Sequence, residues 1–297
     1  MLAFVLACFG AGLVLQRLVP TAKRLIGPLD TAVIGVTLPA LILAKLPDLE
    51  LGGDLVVPVG AAWGSGALAV AIVLIASRRF AWSRATTGAL MLVTPLGNTT
   101  FLGLAMVESL LGKAELTRAL AFDQLGSFFG LAVYGSIVAA HWGHGEGGWR
   151  VVLGRLVRFP PFLAVVGSFV LRAAPVPQGV DDLLGDIGRL VAPLAMLTVG
   201  LRFRLAPAAH SRQAALWCLG IKMAVMPLAV LAAAAAAGGL DDPAWTASVL
   251  EAGMPPMVTA GVVAAQADLD GELASTVVGV GLLLALVTIP LFALVVR

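Results

Sequence analysis

Thr94-Pro95-Leu96-Gly97-Asn98-Thr99-Thr100 interrupts an otherwise apolar segment, and more than half a chain later Gly253-Met254-Pro255-Pro256-Met257-Val258-Thr259 interrupts another in the same way. Proline removes a backbone donor and clashes with the preceding turn, so each stretch is expected to split into two half-helices. What the opened backbone means depends on the solvent around it, and the rest of the chain decides that.

The 297 residues are 60% hydrophobic and only 12% charged, with 34 glycines and a mean hydropathy of +1.00. So little charge does not cover so much apolar surface in water, which points to a membrane protein. Ten apolar segments can be placed, near 1–19, 30–47, 54–77, 85–112, 115–140, 159–174, 183–202, 213–238, 244–267 and 272–296. Several approach the ~20 residues that cross ~30 Å of hydrocarbon. The segment from Met1 to Leu15 lacks a basic leading region and reads as the first span rather than a signal peptide.

Basic residues set the expected orientation. Arg17, Lys23 and Arg24, then Arg78, Arg79 and Arg84, then Arg150, Arg155 and Arg158, then Arg202, Arg204 and Arg212 place twelve of the 19 basic residues in four alternate connections. The opposite connections carry Asp48, Glu50, Asp54, Asp181, Asp182, Asp186, Asp241 and Asp242. The positive-inside rule then puts the basic connections in the cytoplasm and both termini outside, in the cell (inner or plasma) membrane. The acidic connection from Asp268 to Glu272 runs against the pattern, but acidic residues weigh little in this rule.

Five spans per half make any internal repeat an inverted one. Leu38-Pro39-Ala40-Leu41 matches Ala192-Pro193-Leu194-Ala195 at an offset of 154, the two interruptions at 160, and Ala114-Glu115-Leu116 matches Gly271-Glu272-Leu273 at 157. Three matches in order favour a duplication, with a first repeat over 1–140, a cytoplasmic linker over 141–158 and a second repeat over 159–297. A matched pair of interrupted segments, one per half, is a pointer to a transporter's substrate site.

The residues also resemble those of the auxin efflux carrier family, which includes plant auxin exporters and bacterial malonate-type carriers. The resemblance spans nearly the whole chain. It is carried by Gly97-Asn98-Thr99 with Phe101-Leu102-Gly103, by Phe122-Asp123, by Arg158-Phe159-Pro160-Pro161, by Lys222 ahead of Pro227, and by Met254-Pro255. One position departs: the family's proline after the span-four glycine is Ala105 here, while Pro95 lies upstream of Asn98. The resemblance implies an all-α membrane protein of ten transmembrane helices in an inverted five-plus-five repeat, with a sodium/proton-antiporter-like fold. In it, broken helices four and nine cross at the midplane, in a core domain moving against a scaffold domain. It also implies a homodimer, and no cofactor.

If the halves are inverted, the second half of each broken helix starts at the same level. Two helix N-termini, each with roughly half a positive charge, then meet. Pro95, Asn98, Thr99 and Thr100 from one segment, and Pro255, Pro256, Met257, Val258 and Thr259 from the other, become the candidate substrate site. Ordinary proline kinks serving only packing are the competing reading. Ionisable residues inside a bilayer are functional candidates by default. Lys222 lies roughly 14 Å into span eight at ~1.5 Å per residue. Asp123 is similarly placed in span five, and Glu251 just precedes the second interruption. Lys222 can attract an anion while Asp123 or Glu251 carries a coupled proton or ion; the plainer reading is an ion pair that holds helices together.

Other motifs carry less. Asp181-Asp182 with Asp186 reads as a cap where a helix begins rather than one of the two clusters a magnesium–pyrophosphate site needs. His141 and His144 sit in a glycine-rich connection without further metal ligands, Cys8 and Cys218 lie in different spans, and the run from Ala232 to Ala237 reads as small-residue packing surface. The small basic excess is accounted for by the loops, so no nucleic-acid partner is expected. Two function classes remain, both needing a lipid bilayer. The first is a secondary active or potential-driven, elevator-like transporter of small carboxylates. The second is a sodium- or proton-coupled antiporter or symporter on the same scaffold, with Asp123 and Glu251 as ion ligands. No enzyme constellation and no ATP-binding glycine-lysine motif is present in the sequence.

Overall fold

A computed structural model describes residues 2–45, 55–143, 154, 157–173, 177–203 and 211–296. Among these the secondary structure is helical, without a strand. Twelve segments organise the chain: α1 (Leu2–Leu18), α2 (Thr21–Ala44), α3 (Val56–Phe80), α4 (Arg84–Val93), α5 (Thr99–Leu111), α6 (Leu116–Trp142), α7 (Pro160–Ala173), α8 (Gln178–Arg202), α9 (Arg212–Ala236), α10 (Pro243–Ala252), α11 (Val258–Gln266) and α12 (Gly271–Val295). Six of them (α2, α3, α6, α8, α9 and α12) are long and apolar enough to cross a membrane. Their outward faces are apolar too: Leu283, Leu284, Leu286, Val287, Leu291 and Leu294 of α12 are all exposed. Such a surface requires lipid rather than water around it, and the chain is a multi-pass membrane protein.

Local chemistry sets the helix ends. The Ser83 hydroxyl accepts from the Thr86 amide, and Asp242 and Asp270 accept from the amides of Ala244 and Leu273, so α4, α10 and α12 begin on side-chain caps. Gly112, at φ 98°, ends α5 in a conformation closed to other residues. The helix α2 begins well ahead of the expected residue 30, so Lys23 and Arg24 lie in its first turns. Asp30 is consequently inside it, buried, and paired with Arg202 of α8. Asp181 lies in the first turn of α8, but the capping position is Pro177, which offers no side-chain bond. The aspartates therefore act on the helix dipole without capping it, and Asp186 pairs with Arg189. His144, Asp48, Glu50, Asp54, Arg150, Arg155, Arg204 and most of the 141–158 linker lie outside the described residues.

The helices pack as two interleaved groups. In one, α1 lies along α8 and α2 packs on α7 and α8. The α1–α8 approach is close because Gly12 and Gly200 face each other, and a Cβ on either would collide with the partner's backbone. In the other, α3 to α6 pack with α9 to α12. The groups meet chiefly where α8 lies against α11 and α12. There Phe9 and Phe203 stack edge to face at 5.3 Å, and Gly279 of α12 gives Phe203 its space. A cleft of about 580 Å³ opens between the groups, lined by Thr31 and Ile34 of α2, Ser136 and Ala139 of α6, Arg158 and Gln266.

Candidate functional site

The two interruptions are real breaks, and they are bound to each other. The helix α4 ends at Val93 and α5 resumes at Thr99; α10 ends at Ala252 and α11 resumes at Val258. Between them Gly97 and Pro256 form an isolated antiparallel bridge. The Asn98 amide donates to the Pro255 carbonyl at 2.8 Å, and the Met257 amide to the Leu96 carbonyl at 2.9 Å. In this register Pro256 occupies the position whose N–H takes no part in the pairing, which is why a proline fits there. Four of the opened peptide groups thus satisfy one another inside the protein, where no water is at hand to do so.

Each half-helix presents its start at the crossing. The first intrahelical bonds of α5 run from the Leu102 and Gly103 amides to the Asn98 carbonyl, and that of α11 from the Gly261 amide to the Met257 carbonyl. The amides of residues 99–101 and 258–260 therefore form the two first turns, where partial positive charge collects. Asn98 is buried, and its Nδ2 has no acceptor among the described residues. Thr99 and Thr259 are buried alongside, while Pro95 and Thr100 are partly open.

Three ionisable side chains close on the same place. Lys222 of α9 is fully buried and donates from Nζ to the Ala252 carbonyl at 2.7 Å, at the last residue before the second break. A Cβ on Gly97 would sit 3.1 Å from that Nζ, so the glycine gives the ammonium its approach to the first break. Asp123 of α6 accepts from the Thr99 and Thr100 hydroxyls at 2.5 and 2.6 Å on Oδ1, and from Gln124 at 2.8 Å on Oδ2. Glu251 of α10 is buried with both carboxylate oxygens unpartnered among the described residues, and a Cβ on Gly103 would collide with it. Asp123, Lys222 and the α5 start all lie in π-helical turns, over Phe122–Phe128, Ile221–Val225 and Thr99–Gly103. Such turns rotate side chains out of helical register and recur at functional sites.

The residues singled out in the sequence are thereby brought into one cluster, with one qualification. Pro95 also lines a separate cavity of about 270 Å³ between α3 and α6, with Trp63, Gly66, Ser127 and Tyr134. Gln124, Gly97 and Gly103 escaped the sequence reading as members of the cluster. A glutamine next to an intramembrane aspartate was the available signal for the first; the glycines gave none. Cys218 is buried and accepts from Thr94 at 3.3 Å beside the first break, and His141 offers its carbonyl to Arg84.

The profile of the family described as membrane transport protein matches residues 1–146 and 149–293. The chain belongs to that family. It is the auxin efflux carrier family, whose motifs the crossing carries. An uncharacterised transporter of Methanothermobacter thermautotrophicus is 29% identical over 272 residues, covering 90% of this chain and 88% of its own. A second uncharacterised transporter, from Methanocaldococcus jannaschii, is 30% identical over 119 residues, 38% of each chain. This family member is a membrane transporter rather than an enzyme.

Proposed function

We propose that the chain is a secondary transporter of small organic anions, carboxylates in particular. The observation that carries this reading is the crossing itself: two half-helix starts on a hydrogen-bonded bridge, with a buried Asn98 carboxamide that has no acceptor for its Nδ2 among the described residues. Amides in a first turn, a free carboxamide donor and the nearby Lys222 ammonium are the groups a carboxylate needs. In this reading α4 with α5, and α10 with α11, are single broken spans. The protein then has ten spans in an inverted five-plus-five repeat, with both termini outside the cell membrane. The group of α3 to α6 and α9 to α12 carries the site and moves, elevator-like, against α1, α2, α7 and α8. The cleft at Thr31, Arg158 and Gln266 is the kind of opening such motion would need. A homodimer built on the stationary group fits the same scheme.

A second reading has its own observation. Two buried carboxylates beside the crossing, one of them without donors among the described residues, suit a proton- or sodium-coupled carrier with Asp123 and Glu251 as ion ligands. Thermal stabilisation of the purified protein by a panel of mono- and dicarboxylates separates the two. A concentration-dependent rise in melting temperature with at least one carboxylate is expected. Stabilisation by sodium alone, with no response to any carboxylate, would replace the first reading by the second.

A further inference from the structure

We propose that Glu251 alone takes up and releases a coupled proton, and that Asp123 is a fixed positioning residue for the start of α5. The proposal deepens the transporter reading and rests on it. Its basis is the opposite surroundings of two carboxylates in one buried cluster. Asp123 is held by three donors from two segments, Thr99, Thr100 and Gln124, so both its oxygens are engaged. Those bonds fix the first turn of α5 against α6. A proton settling on Oδ1 would have to displace a hydroxyl that also orients the substrate site.

Glu251 has no such duty. Among the described residues neither oxygen accepts a hydrogen bond, both are buried, and the carboxylate lies against Gly103, where any side chain would collide with it. The charged groups acting on it are Asp123 from α6 and Lys222 from α9, and the Lys222 ammonium is bonded one residue further on, to the Ala252 carbonyl. Of the other ionisable groups on the helices packed against α10, Cys218 of α9 lies a turn before Lys222 and accepts from Thr94, and the rest lie further along their helices. Arg78, Arg79, Arg212 and Glu272 are in terminal turns, Glu108 is more than a turn beyond Gly103, and Glu115 pairs with Arg118 at the start of α6. Sodium would need several oxygens at once, and the Lys222 side chain, bonded one residue on at Ala252, shares the space. A proton needs only one oxygen. On loading, one proton from water adds to a Glu251 oxygen; on unloading, it returns to water on the opposite side. With one monocarboxylate carried per proton, no net charge crosses.

Infrared difference spectroscopy of the reconstituted protein, recorded without substrate as pH is lowered, tests this directly. The wild type should gain a carboxylic acid C=O band that Glu251→Gln loses and Asp123→Asn retains. A spectrum unchanged by Glu251→Gln, or a band lost in Asp123→Asn instead, overturns the assignment. Gly103→Ala provides a second variant: it keeps the acid but crowds it, so the band should persist with a shifted midpoint, and an unmoved midpoint counts against the proposal. Because no substrate is present, failure here leaves the carboxylate reading to its own thermal-stabilisation test.

Discussion

Lys222 shows how much one residue can decide. A fully buried ammonium is costly unless something holds it, and here a single carbonyl, that of Ala252, is its hydrogen-bond acceptor. Its Nζ also lies against Gly97 of the first break. Replacing it by glutamine keeps a donor but removes the charge. Lys222→Gln is therefore expected to weaken the binding of whichever carboxylate stabilises the protein by about tenfold or more, ~1.4 kcal/mol, with the fold intact. An unchanged dissociation constant from calorimetry or thermal titration would remove Lys222 from the proposed anion site. The same residue marks the limit of legibility. Its depth in an apolar run was plain from the sequence, as were those of Asp123 and Glu251. That Gly97 and Gly103 stand against two of these groups was not, because a glycine announces only a missing side chain and never the neighbour that uses the space.

At the scale of elements, the breaks were readable because proline and a cluster of small polar residues are local signals. The departure at Ala105 left the position of the first break open, and the structure places it at 94–98, upstream of that site. What was not readable is the pairing between the breaks. It depends on register, and register is a property of two segments at once. The register makes an asymmetric prediction. Pro256 lies where no N–H is used, so Pro256→Ala should be tolerated with little loss of melting temperature. Met257 donates to Leu96, so Met257→Pro removes one of the two bridging bonds and leaves a buried carbonyl bare, at a cost of about 1–3 kcal/mol. Equal melting temperatures for the two variants would show that the bridge contributes nothing. The early start of α2 has a similar lesson. Lys23 and Arg24 resembled a loop, and Asp30 resembled its edge. A partner on α8, Arg202, lets the charged turn remain helical, and that partner is 172 residues away.

For the molecule as a whole, the two groups of helices interleave the sequence halves, which no linear division of the chain displays. The relative motion proposed for them is open to a direct test. Gln266 of α11 donates to the Thr31 hydroxyl of α2 at 3.5 Å, a contact that joins the groups beside the cleft. Thr31→Cys with Gln266→Cys, joined by a short bifunctional methanethiosulfonate reagent, should stop carboxylate exchange in proteoliposomes and regain it with a reductant. Full exchange in the cross-linked protein would show that these groups need not move apart. The bridge between the breaks has a last consequence, for how the protein is made. The Leu96 carbonyl and the Asn98 amide find their partners at Met257 and Pro255, more than half a chain downstream. A nascent first half therefore enters the bilayer with opened peptide groups that have no mates, each costing on the order of several kcal/mol in hydrocarbon. Biogenesis must shelter that gap, with water or with another protein, until the ribosome has delivered α10 and α11, so the proposed site is completed near the end of synthesis.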